Sequence, residues 1–231
     1  MPEERAVIFA NGDLPDPTAA YAILRPDDHL YAATGGTRHV LAMGLYPAGV
    51  IGDLDSLAGD DRRRLEDGGV RLEAHPRDKD FTDLELTLDY VVKAGYRSIL
   101  IIAALGGRLD QTLGNLALLT RPDLLTLDVR LDDGLEEVFF VQREARIQGQ
   151  AGDLLSLLPW GRPAEGITTD GLRWSLCDET LYPDRTRGLS NEFLNPTVAV
   201  RVKSGLLLCV HRRLPSIDSK LSIVNRKSQV T

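Results

Sequence analysis

Cysteine is nearly absent. Only Cys177 and Cys209 occur in 231 residues, far apart and both in segments that read as strands. That suits reduced, buried thiols of a cytosolic protein better than a disulfide framework, with a single bridge as the open alternative. A basic excess is missing too: 27 Lys and Arg against 34 Asp and Glu leave a formal charge of -7. A general nucleic-acid binder needs a basic face to displace counterions from the phosphate backbone, so that class is excluded, although an acidic chain still binds one nucleotide through a metal. No apolar run approaches the roughly 20 residues that cross a bilayer. The acidic start Met1-Pro2-Glu3-Glu4-Arg5 leads into a short apolar run that stops at Asn11-Gly12-Asp13, so no signal peptide is read. The expectation is a soluble, cytoplasmic protein with no membrane and no nucleic-acid partner. His29, His39, His75 and His211 are scattered, without zinc spacing. No internal repeat or low-complexity block appears.

What is present is an ordinary globular composition, 43% hydrophobic, enough for a real core. Up to about residue 127, short apolar runs at 6–10, 29–33, 48–51, 69–74 and 98–103 alternate with longer periodic stretches at 17–24, 37–45, 56–66, 82–94 and 109–119. This is the pattern of βα units on a Rossmann-like, mostly parallel sheet. In the fourth helix Leu84, Leu88, Val91 and Val92 form one apolar stripe, Thr82-Asp83-Leu84-Glu85 fits a capping box, and Gly95 supplies a stop.

Beyond residue 128 the pattern changes to short runs at 129–131, 137–142, 145–147, 154–158, 172–176, 197–202 and 206–210. They are broken by Asp132-Asp133-Gly134, Gln150-Ala151-Gly152, Pro159-Trp160-Gly161 and Lys203-Ser204-Gly205. Strands and turns in this rhythm predict an all-β second domain, so the chain divides into an α/β domain over 1–127 and a β domain over 128–231, with a polar tail from 212.

Asp53 and Asp55, in Gly52-Asp53-Leu54-Asp55-Ser56, follow the third strand at the edge where open α/β sheets place ligands. In an extended segment the two side chains share a face, roughly 6 to 7 Å apart, close enough to share one cation, and oxygen-only ligands favour Mg²⁺. Gly52 leaves room for a bulky group, and Ser56 can cap the next helix. A bare Asp-x-Asp is more often an acidic turn; a second cluster changes the balance. Asp78, Asp80 and Asp83 lie around Lys79 and Thr82. Thr82 as a cap and Asp83 as a first-turn charge, worth about 0.3 to 1 kcal/mol, account for part of it. Three carboxylates within six residues nevertheless repel unless solvent, Lys79 or a metal offsets them. The third element, Gly106-Gly107-Arg108-Leu109-Asp110-Gln111 followed by Gly114-Asn115, again follows a strand. Its glycines admit a phosphate to the backbone, Arg108 offers a forked donor, and Asp110 can orient Arg108 or bind a substrate donor. It is neither a P-loop nor a dinucleotide fingerprint.

In this order and spacing the three elements resemble the thiamine pyrophosphokinase family, which carries G-D-x-D-S, then D-x-D-x-T-D, then G-G-R-x-D-H with an Asn a few residues on. Asn11-Gly12 resembles the family's opening turn, and Gly171-Leu172-Arg173-Trp174 with Ser190-Asn191-Glu192 its β-domain signature, so the resemblance runs to about residue 210. It implies an α/β domain followed by a β-sandwich, and a homodimer binding thiamine between the α/β domain of one chain and the β domain of the other. The implied reaction is Mg²⁺-dependent transfer of pyrophosphate from ATP to thiamine, releasing AMP. Asp53, Asp55 and Asp83 would bind Mg²⁺ and, with Arg108 and Asp110, form the catalytic set. Asn11, Gly35, Gly36, Asp78, Lys79, Asp80, Thr82, Arg108 and Asn115 would hold ATP. Ser190, Asn191 and Trp174 would contact thiamine, an indole face suiting a flat cation; for Trp174 a core aromatic is the equal alternative. Two positions depart from the family. Thr34, in Ala33-Thr34-Gly35-Gly36, replaces the Asp of Asp-Gly-Gly, and Gln111 replaces the His of the third motif. They keep two other readings open: a pyrophosphokinase or nucleotide hydrolase with another acceptor, and a catalytically weak thiamine- or nucleotide-binding protein.

Overall fold

The structure is a computed structural model that describes residues 4–55 and 57–214. Ser56, expected as a helix cap, and the tail beyond residue 214 lie outside the described residues. Two compact units are present, Met1–Phe140 and Val141–Thr231.

The first unit runs β1 (Arg5–Phe9), α1 (Pro17–Ala22), β2 (His29–Ala33), a 3₁₀ turn (Thr34–Gly36), α2 (Thr37–Ala42), β3 (Gly49–Gly52), α3 (Gly59–Asp67), β4 (Arg71–Ala74), α4 (Asp83–Lys93), β5 (Ser98–Ile102), α5 (Leu109–Leu118), β6 (Asp128–Asp132) and β7 (Glu136–Val141). Strand order within it is β7-β6-β5-β1-β2-β3-β4. Every pair is parallel except β6 with β7. β1 and β5 carry buried residues at almost every position because helices cover both faces, as the continuous apolar runs of parallel strands require. On one face Val7, Phe9, Val50 and Leu100 cluster with Ala20, Val40 and Leu65 of the helices.

α4 packs over β1, β2 and β3. Its start is set by Thr82, whose hydroxyl accepts the Glu85 N–H at 3.2 Å. Leu84, Leu88 and Val91 are buried as the stripe predicts; Val92 stays half-buried, and the fourth fully buried position is Thr87, whose hydroxyl donates to the Asp83 carbonyl at 2.7 Å. A buried Thr is tolerated where its one strong donor is satisfied within the helix.

The first unit extends beyond the expected boundary at residue 127. The run 129–131, expected as the first of the β domain, lies in β6, which pairs in parallel with β5, and Leu131 is fully buried. A three-residue apolar run cannot reveal whether its partner is parallel or antiparallel.

The second unit contains β8 (Glu144–Gln148), β9 (Leu154–Pro159), β10 (Ala164–Asp170), β11 (Glu179–Leu181), β12 (Asn191–Glu192), β13 (Thr197–Arg201) and β14 (Leu207–Arg212). β12-β9-β14 and β11-β10-β13-β8 are antiparallel sets that form a β-sandwich around Leu155, Leu157, Ile167, Phe193, Val198 and Cys209. Sequence periodicity missed β10 because its register shifts between Ala164 and Ile167, where Gly166 takes φ +65° and breaks the alternation. The strand expected at 172–176 is instead a loop with one bridge, Leu172 to Phe193. Cys177 therefore sits on an exposed bend and not a strand; Cys209 is buried on β14, and neither forms a disulfide.

The second unit buries an ionisable pair. Asp153 accepts from the Gln150 N–H at 3.0 Å, the Leu214 N–H at 2.9 Å and His211 Nε2 at 3.1 Å, while the His211 ring stacks on Phe193 with centroids 4.8 Å apart. Burial pushes the Asp153 carboxyl up, but these donors outweigh it and hold the group below the usual carboxylate range. A depressed carboxyl contributes stability that is present above its unfolded value near pH 4 and is lost as pH falls through the folded value. Asp153→Ala is expected to lower the unfolding free energy by about 3 to 5 kcal/mol in urea titrations at neutral pH. The deficit should shrink in the same titrations below about pH 4.

Candidate active site

Because β1, β2, β3 and β5 are parallel, their C-terminal ends open on one edge. The loops that leave them enclose a cavity of about 520 Å³. This is the edge at which open α/β sheets bind ligands.

The β1 loop supplies Asn11 and Gly12. Gly12 N–H donates to the Ala103 carbonyl at 2.7 Å, and a β-carbon on Gly12 would lie 2.6 Å from that oxygen. From the turn after β2, Gly35 lies against the Asn11 side chain and Gly36 against the Phe9 carbonyl, both too closely for a β-carbon. Thr34 is fully buried and donates to the Ile51 carbonyl at 3.2 Å, so it puts a satisfied hydroxyl where the family carries a carboxylate. His39 Nε2 lies 3.0 Å from the Gly12 carbonyl. Burial keeps its ring less basic than usual, against the raising effect of that contact, which suits a neutral ring donating Nε2–H.

At the end of β3 the expected geometry changes. Gly52 takes φ +142° and Leu54, buried at 7% exposure, takes φ +55°. The segment is therefore a turn, with the Asp53 carboxylate accepting the Asp55 N–H at 3.2 Å. Extended i, i+2 geometry, the basis for placing both carboxylates on one face, does not apply. Asp53 is half-buried in the cavity wall, whereas Asp55 is exposed and outside the lining.

The end of the β4–α4 loop and the start of α4 bring Thr82 and Asp83 to the wall. Asp83 is neutralised locally: Lys79 Nζ donates to its Oδ1 at 2.6 Å. Asp78 and Asp80 are exposed, and solvent offsets their charge. Among the described residues no group of three or more His, Cys, Asp or Glu forms a ready metal cage. The oxygen donors Asp53 and Asp83 do share the wall and suit a hard cation, which would have to replace Lys79 as the partner of Asp83.

Gly106 and Gly107, at φ +77° and +68°, curve the loop after β5 into the cavity. Arg108 pairs with Asp110 through Nε at 3.1 Å and Nη2 at 2.5 Å, so Asp110 orients the guanidinium. The pairing holds the Asp110 carboxyl below its ordinary range. Asn115 reaches back from α5, donating to the Ala104 carbonyl at 2.7 Å, and both Asn115 and Gln111 line the cavity. Sequence reasoning missed Asp13, which lines the wall against Gly106, and Arg38, which bonds to Asn11. Asp13 had a signal, its position two residues after Asn11 at a strand end; Arg38 had none.

In the second unit Trp174 is 59% exposed, which removes the core-aromatic alternative. Asn191 is buried and clamps its backbone from both sides, accepting from Trp174 N–H at 3.1 Å and donating to the Trp174 carbonyl at 2.7 Å. Arg173 lies with its guanidinium carbon 5.4 Å from the indole centroid and pairs with Glu192 at 2.8 Å. Ser190 is exposed beside Asn191 at φ +54°, its N–H donating to Ser156 Oγ at 3.0 Å.

A parallel sheet whose strand ends gather glycines, carboxylates and an oriented arginine defines an α/β protein built to handle phosphate groups. Residues 22–131 match the family described as thiamin pyrophosphokinase, catalytic domain, and residues 141–207 match thiamin pyrophosphokinase, vitamin B1 binding domain. The chain belongs to the thiamin pyrophosphokinase family. It is 28% identical over 177 residues to a thiamine pyrophosphokinase of Bacillus subtilis, covering 76% of this chain and 83% of the relative. It is 27% identical over 178 residues to thiamine pyrophosphokinase 1 of Oryza sativa subsp. japonica, covering 72% and 67%. The fold matches the crystal structure of the Bacillus subtilis thiamine pyrophosphokinase with a TM-score of 0.82 at 24% identity, over 92% of this chain and all of that one. It matches the yeast enzyme with a TM-score of 0.72 at 18% identity, over 92% and 87%.

Gly52 is a point of close packing in the site. A β-carbon there would lie 2.0 Å from Thr34 Oγ1 and 2.4 Å from Asp83 Cγ. Gly52→Ala is expected to cost about 2 kcal/mol or more through strain and overpacking, measured as a lowered urea midpoint.

Proposed function

We propose that the chain transfers a pyrophosphoryl group from ATP to the hydroxyl of thiamine, giving thiamine diphosphate and AMP. The observation that carries this is the cavity at the sheet edge, lined by Asp53, Asp83, Gly106, Gly107 and Arg108, in a chain whose two parts match the family's catalytic and vitamin B1 binding domains. Phosphoryl transfer asks the protein mainly for positioning and charge neutralisation, so no covalent nucleophile is needed.

In this reading Asp53 and Asp83 would hold Mg²⁺, with Asp55 joining from the exposed side of the same turn, and the ion would supply charge neutralisation for the triphosphate. Lys79, freed from Asp83, and Arg108, oriented by Asp110, take phosphoryl oxygens, and the glycines admit the chain of phosphates to the backbone. Thr82, Asn115, Asn11, Gly35 and Gly36 shape the remaining wall, while Asp78 and Asp80 stand outside it in solvent. Thiamine lies on the exposed indole of Trp174, with Ser190 and Asn191 beside it. The assembly is a homodimer in the cytoplasm, and two cysteines outside any disulfide suit that reducing compartment. A different acceptor is the second reading, favoured by Thr34 and Gln111, which replace a carboxylate and an imidazole of the family pattern.

Purified protein incubated with ATP, Mg²⁺ and thiamine should yield thiamine diphosphate and AMP in equal amounts by chromatography. AMP without thiamine diphosphate would point to another acceptor or to hydrolysis; thiamine binding with no AMP would reduce the chain to a binder. Asp83→Ala should lower kcat by about a hundredfold or more. Trp174→Ala should raise the KM for thiamine by roughly tenfold with the KM for ATP unchanged.

A further inference from the structure

We infer that Arg38 is a positioning residue for the donor nucleotide: it fixes the side-chain amide of Asn11 so that the NH₂ group is presented to the cavity, as a donor to an anionic phosphoryl oxygen. The inference rests on the cavity being a triphosphate site.

Arg38 is exposed at the start of α2, where a solvated arginine needs no partner. Its guanidinium instead reaches the β1 loop. Nε donates to Asn11 Oδ1 at 3.0 Å, and Nη2 donates to the Asn11 carbonyl at 3.2 Å and the Gly12 carbonyl at 2.9 Å. A guanidinium has donors and no acceptor, so the carboxamide atom that faces it must be the oxygen; turned over, the amide would set N–H against N–H. Movement away is blocked on the side of Gly35, where a β-carbon would lie 2.5 Å from Asn11 Cγ. The amide is thus held between Gly35 and Arg38, with its orientation set by Arg38. Asn11 Nδ2 has no acceptor among the described residues, and Asn11 lines the same cavity as Gly106, Gly107 and Arg108.

The turn after β2 reinforces this choice. Thr34, in place of the family carboxylate, spends its hydroxyl on Ile51 and adds no negative charge beside Asn11. A donor at that position therefore recognises an acceptor without repulsion from residue 34. Hydrogen bonds from a neutral donor to a charged acceptor are among the stronger ones, and they depend on the donor being held in place.

Calorimetric binding of inorganic tripolyphosphate and of ATP to the wild type, Asn11→Ala, Arg38→Ala and the double variant tests the inference. Each single change should weaken tripolyphosphate by about ten- to a hundredfold, and the double change no further than the weaker single. Asn11→Asp, which keeps the acceptor for Arg38 but replaces the cavity-facing donor, should bind as poorly as Asn11→Ala. Arg38→Lys, which keeps the charge but loses the fork, should behave as Arg38→Ala. Additive losses in the double variant, wild-type binding in Arg38→Lys, or full affinity in Asn11→Ala would each overturn it. Should Arg38→Ala fail to fold, Asn11→Asp alone decides, with full affinity refuting the inference. Wild-type protein that binds neither tripolyphosphate nor ATP would refute the triphosphate reading itself, a separate outcome.

Discussion

At the end of β3 the backbone passes between the Thr34 hydroxyl and the Asp83 carboxylate with no space for a β-carbon. That contact draws together three elements distant in sequence: the turn after β2, the end of β3 and the first residue of α4. It holds Asp83 on the cavity that Asp53 also lines, and it is possible because Gly52 tolerates φ +142°. A carboxylate at residue 34 would stand within the same crowded corner as Asp83. The threonine found there avoids that repulsion, and its bond to Ile51 satisfies the buried oxygen.

The same sheet edge also carries backbone strain. Leu54 and Ala103, neither of them glycine, adopt φ +55° and +57° just after β3 and β5, and both are buried. Such conformations cost of order 1 kcal/mol or more each and persist where packing over-determines them. Here the buried Leu54 side chain and the bond from Gly12 to the Ala103 carbonyl supply that packing. The loops consequently turn inward over the strand ends instead of continuing the sheet.

The alternation of apolar runs and amphipathic stretches was enough to locate each strand and helix of the first unit to within a few residues, because parallel strands buried on both faces and capped helices leave strong local patterns. α4 is the clearest case: the Thr82 cap and three of four stripe positions follow from spacing alone. What local spacing could not carry was backbone conformation and long-range pairing. Leu54 gives no hint of a left-handed turn, so Asp53 and Asp55 read as neighbours on one face. The bulge at Gly166 hid β10, the partner of β6 is set by topology, and Arg38 acquires its role only when α2 meets the β1 loop. Of the site, the motif residues were visible as motifs, with Lys79 and Asp110 legible as candidate partners for the acidic cluster and for Arg108; that Lys79 settles on Asp83, and that Asn191 holds the Trp174 backbone, depends on side-chain directions that only the fold determines.

α5 carries Gln111 and Asn115 to the cavity wall, yet none of its ten residues is buried, and Leu109 and Leu113 are 71% and 50% exposed. Its ties to the rest of the first unit include the Asn115 bond to Ala104 and the buried Leu119 just past its end. A helix with so little buried surface opens at low free energy, without cost to the core beneath it. In hydrogen-exchange terms, the amides of α5 are expected to open ahead of those of the buried strands β1 and β5 beneath the cavity. Shape adjustment around a ligand is therefore expected of α5 before the buried strands beneath it.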